Sequence, residues 1–259
     1  MRVFVTGSAG YIGSHLVKKL RELGHDVLTC DLKEQDNICF PRKIEADIAF
    51  HLAAFKSVPE SVENPLKYYR NNIDALLGLL ESFSGRVIFS SSACVYGDGP
   101  FTEDSPTKVV NPYGHSKVIC EDILKVRGNY TILRYFNPYG KGGSDNLIPI
   151  VEKSETVEIY GGNYDTPDGT CLRDFIHIDD LIDGHILAMN WPNMTVNLGT
   201  GKPTSVLEVV KAYGKPYRIV GRRPGDVPVS YADITLARSL GFTPKHETFH
   251  EDKRCGQDI

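Results

Sequence analysis

Several things are scarce or missing in this chain of 259 residues, and each absence excludes a class of protein. No apolar run approaches the ~20 residues of a membrane span. Nor is there an excess of basic charge: Lys and Arg number 29 against 33 Asp and Glu, for a net charge of −4. That balance lacks the electrostatic footprint of a nucleic-acid binder. The densest basic cluster off a helix face, "VGRRPGD" (220–226), is too small to grip a duplex. The six cysteines, at 30, 39, 94, 120, 171 and 255, contain no CxxC pair. They read as reduced thiols in a cytoplasmic protein, most of them core filler. The eight histidines show no HExxH or HxH spacing, so no metal is expected. The first residues, "MRVFVTGSAGYIG", run directly into a strand pattern without a signal-peptide apolar region, so no secretory leader is expected. No repeat and no linker interrupts the chain.

What is present is an alternation of two periods. "RVFVT" (2–6) is β-branched and apolar, and "YIGSHLVKKLRELG" (11–24) then takes up helical spacing. Ile12, Leu16, Leu20 and Leu23 fall on one face there, and Gly24 closes the helix. Further strands are expected at 26–31, 46–54, 86–92 and 130–136, with helices at 64–83 and 111–128 between them. Strand and helix in turn, joined by short loops, predict an α/β fold with a doubly wound parallel sheet covered on both faces. After Asn137 the pattern loosens into a glycine-rich loop and short strands at 156–175. A helix at 177–190, a strand at 195–201, a helix at 204–213, a strand at 217–220 and a last helix near 233–240 follow.

Three features carry chemistry. Gly7, Gly10 and Gly13 lie between the first strand and the first helix, where glycines let the backbone approach a pyrophosphate seated on the helix N-terminus. Asp31 ends the second strand, where a carboxylate accepts both hydroxyls of an adenosine ribose and repels a 2′-phosphate, which favours NAD over NADP. "NPYGHSK" (111–117) opens a helix with Asn111 as its cap and Pro112 at its first position. Tyr113 and Lys117 then share a face, four positions apart. A free phenol has a pKa near 10, and an adjacent ammonium together with an oxidised nicotinamide favours the phenolate. Ser92, at the end of the preceding strand, can bond the same substrate hydroxyl.

With these features in order, the chain resembles the extended short-chain dehydrogenase/reductase family, and within it the UDP-glucose (UDP-galactose) 4-epimerase branch. "SSSACVYGD", "NPYGHSK", "LRYFNPYG", "NYDTPDGTCLRDFIH" and "RRPGDVP" carry the likeness over nearly the whole length. The resemblance implies a Rossmann-like NAD-binding domain (1–136 and 172–200) and a smaller UDP-sugar-binding α/β domain (137–171 and 201–259). It implies Tyr113 as catalytic base, Lys117 as its modulator and holder of the nicotinamide ribose, and Ser92 on the 4′-hydroxyl. Gly7, Gly10, Tyr11, Ile12, Gly13, Asp31, Lys56 and Asn71 would line the NAD site, with Tyr135 and Phe136 near the nicotinamide. Asn137, Asn146, Leu147, Tyr160, Arg173, Arg223, Asp226 and Ser230 would hold the UDP-sugar. Two arginines suit a pyrophosphate. The sugar-nucleotide 4,6-dehydratases that share the core carry an acid just after the serine or threonine. Ala93 and Cys94 stand there instead, which favours simple epimerisation. Epimerisation of UDP-glucuronate or a UDP-pentose, and a non-catalytic NAD-binding regulator, stay open as alternatives.

The likeness fails at one place. Between Asp31 and "ADIAFHLAA" lie only "LKEQDNICFPRKIE", where the family places a helix, a strand and another helix. The sheet is therefore expected to lose the strand beyond the second one, leaving a more open adenine pocket and weaker NAD binding. Ser230 is small where the branch varies near the sugar, so a 2-acetamido sugar is expected to fit as well. The family also implies a homodimer through the helices at 64–83 and 112–127, although Leu76, Leu79 and Leu80 suit a core equally well. The tail "HETFHEDKRCGQDI" is weakly patterned, and partial disorder is expected there.

Overall fold

The computed structural model describes residues 1–31, 43–143 and 146–246. The segment of the expected strand loss, 32–42, and most of the tail, from 247 on, lie outside the described residues. In chain order the elements begin with β1 (Arg2–Thr6), α1 (Tyr11–Glu22), β2 (Asp26–Cys30), β3 (Ile48–His51), α2 (Val58–Glu63), α3 (Pro65–Ser82) and β4 (Arg86–Ser92). Next come β5 (Gly99–Phe101), α4 (Pro112–Arg127), β6 (Tyr130–Tyr135), β7 (Asn137–Tyr139), α5 (Leu147–Lys153), β8 (Val157–Tyr160) and β9 (Leu172–His177). The remainder are α6 (Ile178–Ala188), β10 (Met194–Leu198), β11 (Pro203–Ser205), α7 (Val206–Ala212), β12 (Tyr217–Val220), β13 (Val229–Ala232) and α8 (Thr235–Ser239).

The chain forms two compact units. One comprises residues 1–96, 107–134 and 182–196, the other 97–106, 135–181 and 197 onward. The first is built on a six-stranded sheet in the order β10-β6-β4-β3-β1-β2. Its β1–β2, β1–β3 and β3–β4 pairs are parallel, with Val3 opposite both Val27 and Ile48. Among the described residues β2 is the edge strand. Phe4, Ala49, Val87, Phe89 and Ile132 on the sheet pack with Leu76 and Leu79 of α3 and Cys120 and Leu124 of α4. Leu76 and Leu79 are thus core residues, fully buried.

The helices start and stop where local chemistry requires. Asn111 caps α4 by accepting the Gly114 N–H at 2.8 Å, and Gly128, at φ +76, ends it. At the end of α1, Gly24 (φ +80) donates to Arg21 O and His25 to Leu20 O, satisfying carbonyls left over by the last turn. The buried face of α1 differs from the expected one. It consists of Gly13, Leu16, Val17 and Leu20, whereas Leu23 is exposed. Leu23 is the residue at which the helix has already begun to unwind into that glycine turn. The polar "VPESVE" of α2, with Ser57 capping Glu60 N–H at 3.3 Å, carries too little apolar period to be seen in sequence.

The second unit holds a sheet in the order β11-β9-β13-β5, with β7 also on β9, and a two-stranded β12-β8 ribbon. Residues 97–106 and 172–181, expected in the first domain, belong here because β5 and β9 both pair with β13. Asp174 on β9 is fully buried and accepts hydrogen bonds from Thr200 N, Thr200 Oγ1, Gly201 N and Ala232 N. Burial raises its pKa and these bonds oppose the rise. Four donors converging on one carboxylate fix the turn after β10 to β9 and β13.

Candidate active site

The first unit brings one set of the expected site residues together at the carboxyl ends of β1, β3 and β4. Gly7 leaves β1 at φ +70, and a Cβ there would stand 2.7 Å from Ala53 N. At Gly13 the added carbon would meet Gly7 O at 2.0 Å. Gly10 N donates to Gly7 O at 3.0 Å and Gly10 O accepts Ser14 N–H at 2.9 Å, so the turn closes directly into α1. Side chains at Gly7 and Gly13 would strike neighbouring backbone, so glycine is what lets this turn close. Asp31, buried beyond β2, accepts the Ala9 N–H of the same turn at 2.9 Å. The glycine turn and the carboxylate, far apart in sequence, are thereby joined. Tyr11 and Ile12 open α1, half-buried. Lys56 is exposed in the loop after β3, and Asn71 on α3 donates to Asn72 Oδ1 at 3.0 Å.

Ser92 ends β4, and its Oγ accepts Cys94 N–H at 3.2 Å, which starts the short 3-10 turn at 93–95. Gly114 brings α4 onto this turn: a Cβ there would be 2.3 Å from Cys94 O. Ser92 and Tyr113 meet in a side-chain hydrogen bond. Lys117 is buried, donates from Nζ to Ser90 O at 2.7 Å, and stands 5.9 Å from the centre of the Tyr113 ring and 4.8 Å from that of Phe89.

The electrostatics depart from expectation. Burial pushes the Tyr113 phenol well above its ordinary value, Cys94 and Tyr68 add to the rise, and only the Ser92 bond pulls it down. Lys117 itself is lowered to about 8 by burial, against the favourable fields of Cys120 and Glu121. The expected lowering of the phenol by Lys117 is absent from these residues alone, because desolvation of a phenolate outweighs an ammonium that is itself desolvated. Behind Lys117, His51 is held neutral, with its pKa down at about 3 through burial and then the Lys117 charge. The Thr6 hydroxyl meets His51 Nδ1 at 2.8 Å.

The second unit brings together another set. Arg173 on β9 donates to Leu172 O and Val227 O, and lies 3.7 Å from Asp226. Asp226 N in turn donates to Arg223 O at 3.2 Å. The Arg223 guanidinium covers the Tyr160 ring at 4.0 Å, and Ser230 on β13 lies opposite Arg173 in register. Five of the expected sugar-nucleotide residues thus form one cluster. Asn137 and Asn146 instead spend their amides on Asp174 O and Pro138 O. Leu147 packs into the core around Tyr139 and Val209, and Tyr135 and Phe136 are buried at the end of β6 and just beyond it.

Sequence reasoning passed over Gly114, Asn72, Ser116 and His51. A glycine in a helix's first turn, beside Tyr113, was the available sign of close approach; the other three look like ordinary polar residues until their partners are seen. Among the described residues His177, Asp179 and His246 gather possible ligand atoms within 4.8 Å of one another. His177 Nδ1 accepts Asp179 N–H, and His246 Nδ1 faces the Asp180 carboxylate.

The model of the NAD dependent epimerase/dehydratase family matches residues 3–199. A UDP-glucose 4-epimerase of Lactobacillus helveticus is 38% identical, the match covering 95% of this chain and 93% of that one. That alignment runs over 307 positions, more than the 259 residues here, so the relative carries stretches with no counterpart in this chain. Among solved structures, a UDP-glucose 4-epimerase from Stenotrophomonas maltophila with bound NAD and formylated UDP-arabinopyranose superposes with a TM-score of 0.85 at 33% identity, covering 98% of both chains. The Bifidobacterium longum UDP-glucose 4-epimerase in complex with NAD+ and UDP gives 0.83 at 33% identity, covering 97% of this chain and 95% of that one.

Proposed function

The chain belongs to the NAD dependent epimerase/dehydratase family, and we propose that it inverts C4 of a UDP-hexose, interconverting UDP-glucose and UDP-galactose with NAD as its resident cofactor. The observation that carries this reading is the hydrogen-bonded Ser92–Tyr113 pair with Lys117 one helical turn on. The glycine turn and Asp31 fit a dinucleotide: the turn closes directly into the start of α1, where a pyrophosphate can sit on the helix N-terminus, and a carboxylate is fixed beside it.

When bound, NAD accepts a hydride from C4 and returns it. The chain's own residues do the rest. Tyr113 takes the 4′-hydroxyl proton as C4 is oxidised to the ketone and gives it back once hydride has arrived on the opposite face. Ser92 bonds the same hydroxyl and keeps it in line with the phenol. Lys117, with one N–H spent on Ser90 O, has two left for the hydroxyls of the nicotinamide ribose. Because burial alone raises the Tyr113 pKa, proton removal depends on positive charge brought against the ring, from Lys117 and from the oxidised cofactor. Ala93 and Cys94 offer no carboxylate to drive elimination, which favours a returned hydride over dehydration.

Gly7, Gly10, Tyr11, Ile12, Gly13, Asp31, Lys56, Asn71 and Tyr135 are assigned to the NAD site. Tyr160, Arg173, Arg223, Asp226 and Ser230, with Asn137, Asn146 and Leu147, are assigned to the UDP-sugar. The first unit is then the NAD-binding domain and the second the sugar-nucleotide domain. A homodimer through α3 and α4 is supported by the exposure of Leu66, Leu77 and Val126. A cytoplasmic location is consistent with the buried free thiols of Cys120 and Cys171, and no helix among the described residues is long and apolar enough to cross a membrane. The small Ser230, buried in β13, supports acceptance of 2-acetamido sugars; good turnover of UDP-galactose with none of UDP-N-acetylgalactosamine would exclude it.

The test is conversion of UDP-galactose by the purified protein, with and without added NAD+, followed through the anomeric protons by NMR. Appearance of UDP-glucose is expected. Conversion of only UDP-glucuronate or a UDP-pentose would redirect the substrate, and inertness towards all of them would favour a non-catalytic NAD-binding regulator.

A further inference from the structure

Asn72 on α3 is 2% exposed and fully satisfied. Its Oδ1 accepts Phe55 N–H at 2.8 Å and Asn71 Nδ2 at 3.0 Å. Its Nδ2 donates to Phe55 O at 3.1 Å and to Ser116 Oγ at 2.9 Å. Ser116 Oγ donates onward to Tyr113 O at 2.7 Å. The orientation of the amide is unambiguous, since Phe55 offers both a donor that needs the oxygen and a carbonyl that needs the nitrogen. No other side chain of this size has an acceptor and a double donor to match. Aspartate would bring a buried charge and leave the Phe55 and Ser116 oxygens without a donor, and alanine would strand all four partners.

The partners of this one amide are sequence neighbours of the residues assigned above. Phe55 precedes Lys56, Asn71 is itself assigned to the cofactor, Ser116 precedes Lys117, and Ser116 also binds the carbonyl of Tyr113. Those residues sit on three separate elements: the loop after β3, α3 and α4. We propose that Asn72 is a positioning residue, a buried junction that sets Lys56, Asn71 and the Tyr113–Lys117 turn in register for the cofactor, although it need touch neither cofactor nor substrate. The proposal rests on the NAD-site assignment made above.

The test measures NAD+ dissociation constants by calorimetry and turnover of UDP-galactose in Lys56→Ala, Asn71→Ala, Asn72→Ala, Ser116→Ala and the Lys56→Ala/Asn72→Ala double variant. Asn72→Ala is expected to weaken NAD+ by ~10–100-fold, as for loss of a fully used buried polar group. Lys56→Ala is expected to cost about tenfold alone but under about threefold in the Asn72→Ala background, since a lysine out of register has little left to lose. Ser116→Ala cuts only the arm to α4, so kcat should fall about tenfold while NAD+ affinity changes less than about threefold. A merely structural amide would lower the melting temperature without coupling to Lys56 and without separating kcat from cofactor affinity. If Lys56→Ala and Asn71→Ala weaken NAD+ but Asn72→Ala does not, or its effect adds fully to that of Lys56→Ala, the junction is refuted and the cofactor assignment stands. If neither Lys56→Ala nor Asn71→Ala alters NAD+ affinity, the cofactor assignment itself falls and takes the junction with it. Should Asn72→Ala fail to fold, the Ser116→Ala split decides alone: equal loss of affinity and turnover, or no loss of either, overturns the proposal.

Discussion

The residues proposed for chemistry and those proposed for recognition are held in opposite ways. In the first unit Tyr113, Lys117 and Asp31 are all buried, and their surroundings leave no room to move: the Gly13 and Gly114 backbones would each collide with a single added carbon. In the second unit Arg223 is exposed on a loop, stacked on Tyr160, while Arg173 and Asp226 face one another at 3.7 Å. Groups that transfer a proton and steer a hydride need placement within a fraction of an ångström, which close packing provides. Groups that grip a charged diphosphate gain from long flexible side chains that reorganise around it, and their mutual contacts keep them satisfied meanwhile.

The sharpest way to break this contrast is to remove the phenolic oxygen. Tyr113→Phe should lower kcat by ~10²–10⁴-fold, the range for loss of a general acid–base group, with NAD+ affinity and melting temperature nearly unchanged. A loss of less than tenfold would place the base elsewhere. A pair of glycines sharpens the comparison further. Gly13→Ala should cost about 3 kcal/mol in urea unfolding, because backbone at 2.0 Å cannot yield as a side chain can. Gly221→Ala, with nothing within 4 Å of its added carbon, should stay within about 0.5 kcal/mol. Equal costs would mean that the two regions are equally packed.

The same contrast explains what the sequence disclosed. The glycine turn, Asp31 and the YxxxK pair were legible because each needs particular residue types at fixed spacing within one strand–turn–helix segment. β4 and β12 were expected over the ranges observed, and the capping Asn111 with Pro112 fixed the start of α4. By contrast, β5, β7, β11 and β13 are three or four residues long and owe their existence to partners distant in sequence, so no local period announces them. Asn72 was invisible for a related reason: its meaning lies in Phe55 and Ser116, seventeen and forty-four positions away. The direction of the Tyr113 shift was missed because neighbouring charges can be guessed from spacing, whereas depth of burial cannot.

Arg223→Ala probes the exposed side of the comparison. Loss of one charge-assisted contact to a diphosphate should raise the KM for UDP-galactose by ~10–100-fold. NAD+ affinity and kcat should hardly move, since uniform binding energy is what has been removed. A fall in kcat of the same size as the rise in KM would show the loop to be as exacting in its placement as α4, and the contrast would collapse.

Acid tests the buried side in its gentlest form. His51 is neutral in the folded chain with a pKa near 3, lowered by burial first and by Lys117 second, whereas an unfolded histidine titrates at 6.5. The groups around it are Thr6 on β1, Phe89 on β4 and Lys117 on α4, and none of them is a carboxylate that could welcome a second proton. As pH falls through 6.5, the unfolded chain binds a proton that the folded chain refuses, so the folded state loses stability progressively down to the folded pKa. Between pH 7.5 and 5.5 this one residue should account for about 1.4 kcal/mol, read as the difference in urea-unfolding free energy between the two pH values. His51→Gln, which keeps a polar group for Thr6 but cannot titrate, should flatten the pH dependence by that amount while lowering stability at pH 7.5. An unchanged slope would mean that His51 takes up its proton in place, and that the wall behind Lys117 is as accommodating as the exposed loop of the second unit.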